Sequence, residues 1–143
     1  MSFACAVRRQ SLVVLAALLV LAVAIPARGD ELTDDFHAAV EQAAAEYRAA
    51  RVTLETRGQA ETAAAVQRFR EAFQEIGERF GKNRPAAFAD DEQFGNMFML
   101  IDTRLVGVLL VIDMGNRDAA RDGLKPIEET LSQLSARSAP AER

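Results

Sequence analysis

The stretch LVGVLLVI, Leu105 to Ile112, holds eight apolar residues without a break, in a chain whose other segments beyond the first 29 residues alternate apolar and polar. Such a run reads as a buried strand, as a piece of a membrane span, or as a helix that is apolar on two sides. Its surroundings decide. Counting back from Ile112, the residues Val108, Leu105, Ile101, Phe98 and Phe94 recur at intervals of four and three. That is the period of one helix face, and it continues well beyond the eight residues. The run therefore sits in a helix with a second apolar side. Met99, Val106, Leu110 and Met114, with Thr103 among them, fall opposite the first stripe.

Three more segments carry a single stripe at the same period. They are Phe36, Val40, Ala43, Tyr47, Ala50 and Leu54; then Val66, Phe69, Phe73, Ile76 and Phe80; and last Ala120, Leu124, Ile127, Leu131 and Leu134. No segment alternates with period two, so no strand is expected. Turn signals separate the four. Thr33 is placed to cap the first helix, Gly58 to end it, and GKNRPAAFA (Gly81 to Ala89) to break the second from the third. Asp90 with Gln93 resembles a capping box for the third helix, and Gly115-Asn116 divides the third from the fourth. Pro126 is expected to kink the fourth helix, because it lacks an N–H and crowds the preceding turn. Short connections force antiparallel neighbours. The expected fold is all-α, an up-down-up-down antiparallel four-helix bundle over residues 30–138, with a frayed tail at 139–143.

The first 29 residues are expected to be a cleaved signal peptide. Arg8 and Arg9 form a basic start, Leu12 to Ile25 is a continuous apolar run, and Pro26 precedes the small residues Ala27 and Gly29. That apolar run is shorter than the ~20 residues of a spanning helix, so no membrane span is expected after cleavage. The pattern RRQSL fits both the general secretory and the twin-arginine route. The location is then periplasmic or secreted. Cleavage leaves 14 of the 17 basic residues and all 21 acids, a formal charge of −7. A domain this acidic repels phosphate backbones, so nucleic acid is not an expected partner. The single cysteine, Cys5, lies within the signal, so the mature chain has neither a disulfide nor a thiolate ligand.

The composition carries few candidates for chemistry. His37 is the only histidine. In the expected topology it lies at one end of the bundle with Phe36, Phe80, Phe94, Phe98 and Met97. An imidazole and a thioether in an aromatic shell offer a haem iron or Cu(I) site, and the phenylalanines offer the lining of an apolar pocket. The plainer reading makes His37 a flank residue with a surface hydrogen bond and Met97 a core filler. Asp34-x-x-His37 has ligand spacing, but a di-iron bundle needs two histidines. The acids Asp90-Asp91-Glu92 and Glu128-Glu129 suit helix-dipole positions. Arg48, Arg51, Arg68, Arg70 and Arg79 read as solvated faces with acid partners such as Glu71 and Glu75 on their own helix. No phosphate-binding glycine loop and no nucleophile–base pair is present, so no catalytic residue is assigned and the protein is not expected to be an enzyme.

With its four stripes, its signal and its length, the chain resembles the small exported four-helix bundles of the cytochrome c-prime family and their non-covalent b-type haem relative. The resemblance rests on export, length and helix order across the mature chain. It implies a bundle with haem near one end, often dimeric, serving electron transfer or gas binding. The family's Cys-x-x-Cys-His run has no counterpart in LSQLSARS, Leu131 to Ser138. A haem here would need His37 with Met97.

The second apolar side of the third helix points elsewhere. In an isolated bundle that side would be polar, and burying one such side chain is worth roughly 1.5–3 kcal/mol. Met99, Thr103, Val106, Leu110 and Met114 are therefore the candidate interface. Either a partner covers them, most simply a second copy in a two-fold homodimer, or the loop from Gly81 to Ala89 folds back over them with Phe88.

Overall fold

The structure, a computed structural model, describes residues 28–140. Most of the expected signal segment and the last three residues of the tail lie outside that range, as does Cys5. The described chain is all-helical, with no strand among the described residues. It forms α1 (Arg28–Thr56), α2 (Gln59–Phe80), a 3-10 turn (Ala86–Phe88), α3 (Phe94–Asp113) and α4 (Arg117–Ser138). Helices α1 and α3 each pack against both α2 and α4. Every apolar position that the helical period assigns to the four stripes is buried. The stripes meet in one core, which adds Ala65 and Phe88.

Contacts between helix ends define two poles. At one, Arg117 donates to the carbonyls of Leu54 (3.1 Å) and Arg57, and Gln59 donates to Asp113 O at 2.5 Å. At the other, Phe36 of α1 meets Phe80 of α2 and Phe94 of α3, while His37 reaches Ser138 of α4. The 3-10 turn docks at this second pole. Its Phe88 ring lies 5.3 Å from that of Phe36 and 4.7 Å from that of Phe94. Arg137 stacks on Phe88 from outside, 4.2 Å from the ring centre, and donates to Ala87 O and to Asp91 Oδ2.

Several local expectations need correction. Helix α1 starts at Arg28, so Thr33 lies inside it rather than capping it. Gly58 is not a left-handed helix terminator. Its backbone is extended (φ −74°, ψ 174°) and it is the N-cap of α2, where its N–H donates to Glu61 Oε2. Asp90 and Gln93 make no capping box. Gln93 itself precedes α3 without a side-chain cap, and its N–H donates to Asp91. Phe88 is in the core, not over the outer side of α3. The junction at Gly115-Asn116 is as read: Gly115 takes φ +75°, and the Asn116 side chain accepts from Ala119 N. Helix α4 continues through Pro126, which is exposed.

The arginines also depart from the expected pattern, because most of them pair between helices. Arg51 reaches Glu128, Arg68 reaches Glu46, and Arg70 makes a two-pronged bond to Asp102 at 2.7 and 3.1 Å. Of the five arginines singled out from the sequence, Arg79 keeps an acid on its own helix, Glu75 at 4.0 Å, and it also reaches Asp35 on α1. For Arg51, Arg68 and Arg70, own-helix spacing misses the partners, because a facing helix supplies them.

Candidate functional site

Helix α3 has 20 residues, and its composition and length are sufficient to cross a bilayer (mean hydropathy 1.7). Within the bundle only one side of it is used. Phe94, Phe98, Ile101, Leu105, Val108 and Ile112 face the core. Asp102 marks the flank toward α2, where Arg70 and Gln74 hold it. The hydrogen bond from Arg70 is the main reason its carboxyl titrates below the usual range. The flank toward α4 is marked by Val108, against which Gly123 packs so closely that a Cβ on the glycine would sit 2.7 Å from Val108 Cγ2.

Between these flanks lies the outer side. Met99 is 64% exposed, Val106 48%, Leu110 60% and Met114 73%, and Leu100 adds a further 65%. Thr103 and Gly107 lie among them, both exposed. The Thr103 hydroxyl is turned back onto its own helix and donates to Met99 O at 2.9 Å. A Cβ placed on Gly107 would meet nothing within 4 Å. All five residues of the candidate interface thus share one exposed side of α3. Leu100 was missed, although the sequence held the signal: it is three residues before Thr103 and seven before Gly107, on the same row of the helix.

The other candidates fall differently. Phe36, Phe80, Phe94 and Phe98 pack on one another's rings. They are buried, and with Phe73 and Phe88 they form a chain of rings whose centres are 4.7–5.7 Å apart at the second pole. His37 is half-buried, with Nδ1 3.1 Å from Ser138 Oγ. Because Ser138 donates its own proton to Leu134 O at 2.8 Å, its oxygen is left to accept from the imidazole. Met97 is partly buried against the core. A planar macrocycle would have to occupy the volume that these rings fill, so the residues present do not fit haem. No group of three metal-ligating acids, histidines or cysteines occurs among the described residues.

Two of the acids considered for chemistry are held in ion pairs. Asp91 holds Arg137, whose hydrogen bond is the first cause of its lowered pKa, and Glu128 holds Arg51. A groove of about 410 Å³ runs between α1 and α4, lined by Glu41, Tyr47, Arg48, Glu128, Leu131 and Ser135 among others. At its edge Tyr47 donates to Leu124 O, and burial raises its phenol pKa. Comparison with known protein families, with curated proteins and with solved structures finds no match to this chain.

Proposed function

We propose that this protein is an exported, non-enzymatic up-down-up-down four-helix bundle that acts by association, and that two copies pair through the outer side of α3. One observation carries the reading. Met99, Leu100, Val106, Leu110 and Met114 stand exposed in one continuous strip, and Phe88, the residue best placed in sequence to cover them, is buried elsewhere.

Area supports a second copy as the occupant. Together the five side chains offer on the order of 600 Å², the upper end of the ~300–600 Å² found for the largest apolar patch on a typical monomer. Two such strips facing each other remove on the order of 1,200 Å² from water, which enters the ~1,200–2,000 Å² range of specific interfaces. The arrangement of side-chain sizes suits a two-fold pairing. Thr103 and Gly107 form a shallow centre, and the longer side chains flank it.

Sedimentation velocity of the wild type and of Leu110→Asp tests the proposal. The wild type should be dimeric at micromolar concentration. The variant places one carboxylate per copy in the contact and should weaken pairing by about 1,000-fold or more. A wild type that is monomeric throughout, with the variant indistinguishable from it, refutes the proposal.

A further inference from the structure

We infer that this contact is a peroxide-sensitive switch, with Met99 and Met114 as the sulfurs that sense the oxidant. The inference rests on the proposed pairing of α3 helices and adds its regulation.

The described residues contain three methionines and no cysteine, so thioethers are the sulfur available for oxidation there. Met97 is partly buried against the core. The other two, Met99 and Met114, stand at the strip's two ends and are 64% and 73% exposed. Met99 stands one turn into α3, and Met114 is its C-cap. Fifteen residues separate them, about 22 Å of helix, so they bracket Thr103, Val106, Gly107 and Leu110. In a two-fold pairing each contact holds four thioethers.

The chemistry is a two-electron oxygen transfer. A sulfur lone pair attacks one oxygen of hydrogen peroxide, and the O–O bond breaks as the S–O bond forms. The departing hydroxide takes the remaining peroxide proton and leaves as water. Sulfur is oxidised and peroxide reduced, with no further reactant. The product is a polar sulfoxide with a strong acceptor oxygen where an apolar side chain had been. The apolar side chains between the two methionines offer it no donor. Leu100, Val106 and Leu110 have none, and the Thr103 hydroxyl already donates to Met99 O. A docked sulfoxide therefore loses its water without replacement, whereas in the separated copy it stays hydrated. Exchange through the free monomer brings the thioethers to the oxidant, so pairing slows the reaction without preventing it.

The test treats the purified protein with hydrogen peroxide and follows peptide mass and sedimentation together. Met99 and Met114 should gain oxygen before Met97. The dimer should weaken by on the order of 100-fold, while far-ultraviolet circular dichroism keeps its helical signal. The double variant Met99→Leu, Met114→Leu should remain dimeric through the same treatment. A dimer that persists with both thioethers oxidised overturns the switch but leaves the pairing intact. So does a dimer in which neither is oxidised, or a leucine variant that dissociates as readily as the wild type. A wild type already monomeric before peroxide removes the pairing, and the switch with it.

Discussion

Replacing Phe88 by alanine distinguishes the two places this side chain can go. In the structure it is 1% exposed, wedged between Phe36 and Phe94 and roofed by the Arg137 guanidinium. Truncating a buried phenylalanine costs about 3–5 kcal/mol, the spread reflecting how far the site collapses. Two features set the position within that range. Phe36 and Phe94 are held on separate helices and close little. The 3-10 turn that carries Phe88 belongs to a connection and settles inward more readily. The lower end, about 3 kcal/mol, is therefore expected, and the lost Arg137 stacking adds about 0.5–1 kcal/mol. Urea unfolding by circular dichroism, at one fixed protein concentration, measures it. With a slope of about 2 kcal/mol per molar, the midpoint should fall by roughly 1.5 M or more at unchanged slope. Sedimentation of the folded variant should match the wild type, because the outer side of α3 does not involve Phe88. A loss below about 1 kcal/mol, or a change in oligomeric state at full helicity, would contradict this placement and with it the openness of the strip.

Two further outcomes follow from the packing and the ion pairs. Gly123→Ala should destabilise the bundle, despite a helix-propensity gain of up to about 1 kcal/mol. The new methyl would sit 2.7 Å from Val108 Cγ2, and the combination with Val108→Ala should recover part of the loss; additive losses in a denaturation cycle would show that the two sites do not touch. In acid, Asp91 and Asp102 are held below the usual carboxylate range, first by the hydrogen bonds from Arg137 and Arg70. Their folded values lie below their unfolded ones, so their contribution is complete above about pH 5 and fades as pH falls through the folded values. Asp102→Asn should flatten the decline of stability measured below about pH 4, and an unchanged acid limb would rule Asp102 out as a contributor.

The core was legible in the sequence because burial in a helix leaves a period, and all four stripes had one. Features that depend on how helices face each other were not legible. Arg70 has no acid three or four residues away on its own helix, and the packing of α2 against α3 presents Asp102 to it instead. Phe88 sits in the thirteen-residue connection 81–93, which has no period, so nothing in the sequence separated the core from the strip as its destination. Thr33 and Asp90 failed as caps because both residue types are also compatible with the turn or helix that continues past them. The aromatic pole was located correctly from helix order, but order along the chain cannot tell rings that line a space from rings that fill it. The oily second side of α3 was readable for the same reason as the core, since it too repeats at the helical period.

That second side cannot be accounted for by folding. Side chains that keep half to three-quarters of their surface in the folded chain transfer only the remainder out of water. Each then contributes a fraction of the roughly 1.5–3 kcal/mol that full burial would give. A charged residue at Leu110 would forgo little of that, and the core stripe on the opposite side of α3 would pack as before. The other helices follow that rule except at Val52 of α1: they place Glu, Arg, Gln and Lys at exposed positions such as Glu41, Arg68, Gln74, Glu78, Lys125 and Glu129. On α3 the charges Asp102 and Arg104 stand at the two flanks of the strip and leave its centre apolar. Folding stability and association are therefore separable at Leu110. The aspartate there should leave the unfolding midpoint of the isolated monomer within about 0.5 kcal/mol of the wild type, and any larger loss would mean that the strip is part of the fold rather than a surface held open for a second copy.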